Sequence, residues 1–223
     1  MAIRAFLHKR KYELLLFALI QHLYIAIVLT DLPFYTKVIW PINMLVLGVA
    51  SIGVFLKKGK WKNTARNLLF ILVFALPLGL PFVANATLFM EIASIIYVVF
   101  FVFIFWEIIR FLIKPGYVNL DIISASACGY FLLIEMCAFL MQFLFYHNST
   151  SFTNVSTAST ASTYIDFVYY STITFTTIGY GDITPSTHHT KLAASLFGVI
   201  GQFYSVVLIG ILISKFAANQ EKK

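Results

Sequence analysis

The chain has 223 residues, of which 60% are hydrophobic and only 11% charged, with a mean hydropathy of +0.87 and a formal net charge of +7. Soluble domains carry about 25% charged residues, so this chain cannot cover a water-facing surface. It belongs in a bilayer, and the composition excludes an ordinary soluble enzyme or nucleic-acid-binding domain.

A spanning helix needs roughly 20 mostly apolar residues. Six such runs follow one another: 12–30, 38–56, 67–84, 91–113, 122–146 and 192–217. The first has a basic start like a secretory signal. Its apolar run is too long, however, and no A-x-A-like cleavage site follows, so it reads as a retained helix. Pro77 and Pro81 fall in the third run and predict a kink there, which membrane helices tolerate because neighbours re-satisfy the freed carbonyls. The fourth run has no basic residue between Glu91 and Arg110; Glu107 and Arg110, three apart, read as a surface pair. The fifth holds Cys128 and Cys137, taken as small buried residues rather than a disulfide pair, and Glu135, the one acid deep in a span. A structural hydrogen bond from Glu135 to the following short helix is the favoured reading.

Basic residues set the orientation. Arg4, Lys9, Arg10 and Lys11 precede the first span, and Lys57, Lys58, Lys60, Lys62 and Arg66 fill the second connection. Arg110 and Lys114 close the fourth span, and Lys215, Lys222 and Lys223 end the chain. Fourteen of the sixteen therefore lie on one side, with only Lys37 and Lys191 opposite. Both termini are placed in the cytoplasm. This asymmetry accounts for the positive charge without a nucleic-acid partner.

Between the fifth and sixth spans lies the one long connection. Residues 147–163 are a low-complexity Ser/Thr tract with no periodic apolar face, which predicts a flexible, solvated turret. Asn85, Asn148 and Asn154 begin N-x-S/T triplets, read as chance occurrences. In 164–177, Asp166 is a candidate helix cap, and Phe167, Tyr170, Ile173 and Thr174 recur at helical spacing. The segment is too short to span. A helix that enters and returns is allowed only where protein or a water-filled cavity surrounds it.

The following residues, Thr177-Ile178-Gly179-Tyr180-Gly181, explain why polar backbone sits there. Carbonyls can replace a cation's hydration shell if several strands point them at one axis. Glycine at alternate positions supplies the positive φ that lets successive carbonyls face the same way. The C-terminal end of the short helix also favours a cation. One chain offers too few carbonyls to encircle an ion, so several copies around an axis are required.

The run TTIGYGD, 176–182, resembles the selectivity-filter motif of tetrameric potassium channels, usually T-[VI]-G-Y-G-D, within the voltage-gated-like cation channel superfamily. Residues 166–185 look like that family's pore helix and filter, and 192–216 like its inner helix. The resemblance is strong over roughly 122–217 and weak before. It implies an all-α membrane protein with six transmembrane helices, a re-entrant pore helix and filter, and a homotetrameric pore. A peripheral domain at 1–114, a linker at 115–121, a pore domain at 122–217 and a short tail at 218–223 follow. By the same resemblance, carbonyls of Thr177, Ile178, Gly179 and Tyr180, with the Thr177 hydroxyl, form the potassium sites, and Gly181 ends the filter. Thr176 and Asp182 support it, with Tyr170 as the aromatic donor to Asp182. Ile173 stands where some relatives keep a carboxylate. Gly201 falls at the inner-helix hinge.

Gly198, Gln202, Ser205 and Ile209 share a helical spacing suited to a cavity lining, and Gly210 permits close helix approach. His188 and His189 flank the outer mouth. Four spans before a pore match the voltage-gated layout in number alone. Without basic residues in the fourth span, steep voltage dependence has no source. The eight residues after Lys215 offer no regulatory domain, which leaves a leak-type or lipid-sensitive channel, an unidentified regulatory subunit, or a longer parent chain. No cofactor besides potassium is implied; the partners are membrane lipid and further copies, at the plasma membrane. Two rivals remain: a weakly selective cation channel, and a transporter subunit, although the second broken helix that transporters repeat is missing. No catalytic set of residues appears at membrane depth.

Overall fold

The structure, a computed structural model, describes residues 9–29, 31–55, 59–113 and 119–220, the side chains of 209 and 211–220 excepted. Arg4, Lys57, Lys58, Lys114, Lys222, Lys223, the linker positions 115–118 and the side chains of Ile209 and Lys215 lie outside that description.

Helix α1 (Lys11–Tyr24) continues as a 3-10 turn, Ile25–Val28. Asp31 caps the next turn by accepting from Phe34 N, and two short helical turns lead into α2 (Trp40–Phe55). Helix α3 (Lys60–Gly79) runs unbroken through Pro77 and tightens to a 3-10 turn at Leu80–Phe82, where Pro81 sits. Asn85 caps α4 (Ala86–Leu112) and Asn119 caps α5 (Leu120–His147), each accepting the amide three residues on. Strand β1 (Phe152–Thr153), helix α6 (Thr160–Phe175), strand β2 (Thr184–Pro185) and helix α7 (His188–Gln220) complete the order. Among the described residues six helical stretches are long and apolar enough to cross a membrane, and α6 is the short seventh.

Helix α5 is the hub: α1, α4, α6 and α7 all pack on it. In lipid, helices associate through packing and polar links, because tails are as apolar as leucine. The packing between α4 and α5 is aromatic. Tyr97, Phe100, Phe101 and Phe139 are almost fully buried, and the Phe139 ring lies 4.6 Å from Tyr97 and 5.8 Å from Phe101. Among the described residues, acid–base pairs reach α5 at three heights: Lys11–Asp121 at 3.9 Å, His22–Glu135 at 2.6 Å and Glu91–His147 at 2.8 Å.

The expected surface pair at the end of α4 is corrected. Glu107 is buried, and its carboxylate is held by Lys62 of α3, with Arg110 at 3.8 Å as a second cation. A buried carboxylate needs such partners, because desolvation costs several kcal/mol per ion. The pairing with Lys62 crosses from one helix to another, so the i, i+3 spacing identified only the longer of these two contacts.

Helix α7 has two faces. Ala194, Phe197, Gly201 and Tyr204 turn toward the chain's own α5 and α6, and the Tyr204 hydroxyl donates to the carbonyl of Ser126 at 2.8 Å. Leu192, Leu196, Val199, Phe203 and Val206 form the opposite, exposed stripe. Gly201 sits against Phe175, the last residue of α6. A methyl group added there would lie 2.5 Å from Cδ1 of Phe175, whose ring is itself boxed by Tyr130 and Phe197.

Gly201→Ala is therefore expected to overpack the α6–α7 contact at a cost of about 1–3 kcal/mol, lowering the unfolding temperature of detergent-purified protein. Phe175→Leu in the same chain should recover part of the loss. An unchanged unfolding temperature for Gly201→Ala would refute close packing as the reason for this glycine.

Candidate functional site

The site grows from the two ends of α6. Ser159 is its N-cap: the Ser159 hydroxyl accepts from Ser162 N and the Ser162 hydroxyl accepts from Ser159 N, a reciprocal capping box. The helix thus starts at Thr160, four residues before the expected start, and Asp166 is not its cap. Asp166 instead accepts from Ser156 N at 2.7 Å, tying the preceding loop down onto the helix.

That loop is not the free turret its composition suggests. Phe152 is buried against Phe167 and Tyr170, with ring centroids 5.1 and 5.5 Å away. Strand β1 pairs antiparallel with β2, setting Phe152 opposite Pro185. Ser151 O accepts from Ser186 N and from the Thr190 hydroxyl. Asn154, at φ +60°, donates its amide to Asp182 O at 2.7 Å. The Ser/Thr tract is a strap across the end of the TTIGYGD segment. Serine and threonine secure it through hydroxyl-to-backbone bonds, which leave no hydrophobic period to detect.

At its other end α6 stops at Phe175, and the chain turns through the candidate filter. Thr177, Gly179 and Gly181 have φ of +60°, +54° and +79°, so left-handed residues occupy every second position. Glycine adopts this conformation freely, whereas a β-branched residue is a genuine outlier there. Thr177 is thus strained, and strain of about 1–3 kcal/mol persists only where surroundings over-determine it. The surroundings are named contacts. Ile173 O accepts from Ile178 N at 2.9 Å and from Gly179 N at 3.2 Å, and Thr177 N donates to Thr174 O. The Thr176 hydroxyl donates to Thr172 O at 2.8 Å. Ile173 has no polar side chain, and its backbone carbonyl takes the two amides. Ile178 and Tyr180 are 54% and 72% exposed in the single chain.

The aromatic donor to Asp182 is corrected. Tyr169, not Tyr170, donates its hydroxyl to Asp182 Oδ2, at 2.6 Å. Tyr170 is buried against Phe152 instead. One residue is a 100° rotation on a helix, and the stripe Phe167–Tyr170–Ile173 that reveals the helix is its core face. That stripe itself was the signal that Tyr170 points inward and its neighbour toward the mouth. The bond holds the Asp182 carboxyl below its ordinary value of 3.8 and pushes the Tyr169 phenol up to about 12. A carboxylate with a lowered value keeps its bond above 3.8 and loses it as pH falls through the lowered value; the phenol keeps its proton until pH rises to about 12.

The structure places the remaining site residues on α7. Gln202 is exposed, and the Ser205 hydroxyl donates to Gly201 O at 3.0 Å. Gly201 contacts Phe175 within an unbroken helix. Glu135 has the hydrogen bond expected of it, from the Tyr164 hydroxyl of α6 at 3.2 Å, and a partner the sequence gave no reason to expect, His22.

Residues 123–218, somewhat under half of the chain, match the protein family described as ion channel. Over 62 residues, 28% of the chain, the sequence is 40% identical to potassium voltage-gated channel subfamily KQT member 4 of Homo sapiens, covering 9% of that protein. It is 39% identical over 61 residues to KQT member 3 of Bos taurus, covering 27% of this chain and 7% of the relative. Two-pore potassium channel 4 of Arabidopsis thaliana is 36% identical over 58 residues, 26% of this chain and 20% of that protein. The chain thus spans a small part of the length of these curated relatives. No solved structure matches it. The likeness to potassium channels carried by residues 176–182 is borne out by these matches.

Tyr169→Phe is expected to shorten open times of the reconstituted protein several-fold, while Tyr170→Phe leaves them unchanged. Wild-type open times should hold in any bath above the ordinary carboxylate value of 3.8. The opposite ranking of the two tyrosines in single-channel records would reverse the assignment.

Proposed function

We propose that this chain is the subunit of a homotetrameric potassium-selective channel of the plasma membrane, with both termini in the cytoplasm and no steep voltage dependence. The observation that carries the reading is the alternation of left-handed residues at Thr177, Gly179 and Gly181 at the end of a short re-entrant helix. This backbone suits a row of carbonyls facing one axis, the arrangement that replaces potassium's water shell. Carbonyls of Thr177, Ile178, Gly179 and Tyr180 and the hydroxyl of Thr177 then hold the ions in transit. Gly181 ends the row, and Asp182, Tyr169 and Thr176 hold it from behind.

Four copies supply what one chain lacks. Irregular backbone at membrane depth is tolerated only inside protein or beside water, yet 177–181 lies exposed on the single chain. The exposed stripe on α7, Leu192, Leu196, Val199, Phe203 and Val206, repeats in steps of four and three. That 3.5-residue period is the pattern of a helix packing against helices of other copies. Gln202 lies beside it, suited to a water-filled cavity below the filter. Orientation rests on the basic residues at the start of α1, in the connection before α3 and at the end of α4.

The voltage reading rests on charge and packing. Each elementary charge moved through the field is worth about 2.3 kcal/mol per 100 mV, and α4 carries no basic residue between Glu91 and Arg110. Its buried face holds Tyr97, Phe100, Phe101 and Ile104, locked against α5. A helix so packed has neither a row of basic residues to be driven nor room to slide.

In planar bilayers under a potassium/sodium gradient, the purified protein should reverse near the potassium equilibrium potential, with open probability flat in voltage. Gly179→Ala should abolish potassium current while leaving the assembly's size unchanged, because alanine resists φ +54°. A reversal near zero would remove the selectivity, and a steep conductance–voltage curve would remove the account of α4.

A further inference from the structure

Three polar side chains from three helices meet in the dry interior, far in sequence from one another. His22 Nδ1 of α1 lies 2.6 Å from Glu135 Oε1 of α5. The Tyr164 hydroxyl, in the second turn of α6, lies 3.0 Å from His22 Nδ1 and donates to Glu135 Oε2 at 3.2 Å. The His22 and Glu135 side chains are fully buried. Phe139 closes over the group, its ring 5.2 Å from Tyr164 and 6.4 Å from His22. A second contact joins the same two helices further along: Tyr24 at the end of α1 and Thr172 of α6 have their hydroxyls 3.2 Å apart.

A buried carboxylate is a poor way to gain stability, because its desolvation offsets its attraction to a partner and well-packed apolar residues do as well or better. What such a group supplies is a defined geometry. Here the geometry fixed is the seat of α6. Tyr164 and Thr172 are eight residues apart, about 12 Å along the axis, so α1 touches α6 both near its start and close to its filter end. The filter end in turn feeds Ile173 O to the amides of Ile178 and Gly179. A shift of α6 on α1 therefore reaches the candidate filter through a rigid helix and two hydrogen bonds, with no flexible segment between.

We propose that His22, Glu135 and Tyr164 are positioning residues through which the first helix sets the seat of the pore helix, and thereby how long the filter stays conductive. The first four helices, the fourth of which carries no basic residue between Glu91 and Arg110, act on conduction at this contact. The inference rests on the channel reading above. It assigns to α1 a part in filter gating, distinct from ion selection, which belongs to the backbone of 177–181.

The test uses the full chain reconstituted in planar bilayers, with unitary conductance, reversal potential and open times recorded together. Tyr164→Phe removes one hydroxyl and little volume, and His22→Leu removes the ring's donor. Each is expected to change mean open time by about tenfold, the scale of one hydrogen bond to a charged group, with conductance and reversal unchanged. Because the residues act as one network, the double variant should shift open time no further than either single one. His22→Asn, which returns an N–H near the place of Nδ1, should restore wild-type gating. Tyr24→Phe should shift open times in the same direction. Wild-type open times in Tyr164→Phe, or fully additive effects in the double variant, overturn the proposal while leaving the channel reading intact. A wild-type protein that passes no potassium current removes the channel reading, and this inference with it.

Discussion

The five residues of non-helical backbone at 177–181 must be held against collapse, and most of what is specific in this structure answers that demand. Left-handed residues at 177, 179 and 181 give the chain a shape that does not sustain itself, and at Thr177 one that is strained. The restraints come from every side. Ile173 O takes two amides from behind, Tyr169 and Asp182 close the upper end, and Asn154 holds Asp182 O from the strap. Phe175, the last residue of α6, is set into the notch at Gly201. Each of these is short-ranged and directional. None depends on hydrophobic exclusion, which is weak between helices already in lipid.

The first four helices obey a different economy. The face that α4 turns to α5 is aromatic, centred on Tyr97, Phe100 and Phe101, and polar groups buried in these helices link to neighbours. Lys11, His22 and Glu91 reach α5 at three heights, and Gln142 of α5 reaches back to Ser94 at 3.0 Å. Buried carboxylates appear at Glu107 and Glu135, and each is paired with a cation or histidine on another helix. These links explain how a helix block without a membrane-crossing charge can still be firmly coupled to the helices that carry the candidate filter.

Legibility in the sequence followed the range of the interaction. The six spans were readable because hydropathy is a local sum, and their ends shifted by a few residues where Asn85 and Asn119 supplied caps, as the start of the short α6 did at Ser159. The candidate filter was readable because its residues lie in one contiguous run, 176–182. The strap was not: its structure lies in hydroxyl-to-backbone bonds and one buried ring, Phe152, in a tract whose composition is that of a disordered segment. The choice between Tyr169 and Tyr170 turned on a single helical step, and the apolar stripe containing Tyr170 held the answer. Lys62–Glu107 and His22–Glu135 join residues 45 and 113 apart, where no local spacing reports the pairing. Glu135 could be singled out as an acid needing a partner; which partner depended on how α1 packs.

The two faces of α7 bring these threads together. One face is committed within the chain: Phe197, Gly201 and Tyr204 bind α7 to α6 and α5, and Tyr204 fastens to Ser126 O. The other, from Leu192 to Val206, is as apolar as the first and has nothing on it in the single chain. Lipid would accept that stripe, so its exposure alone implies no partner. The backbone at 177–181 changes the inference, since lipid would not accept exposed carbonyls and amides at that depth. Helix α7 leads away from that segment, and both lie uncovered on the same chain. A ring of copies that buries the stripe also encloses the carbonyls, and for that reason the proposed tetramer and the proposed ion path stand or fall as one requirement.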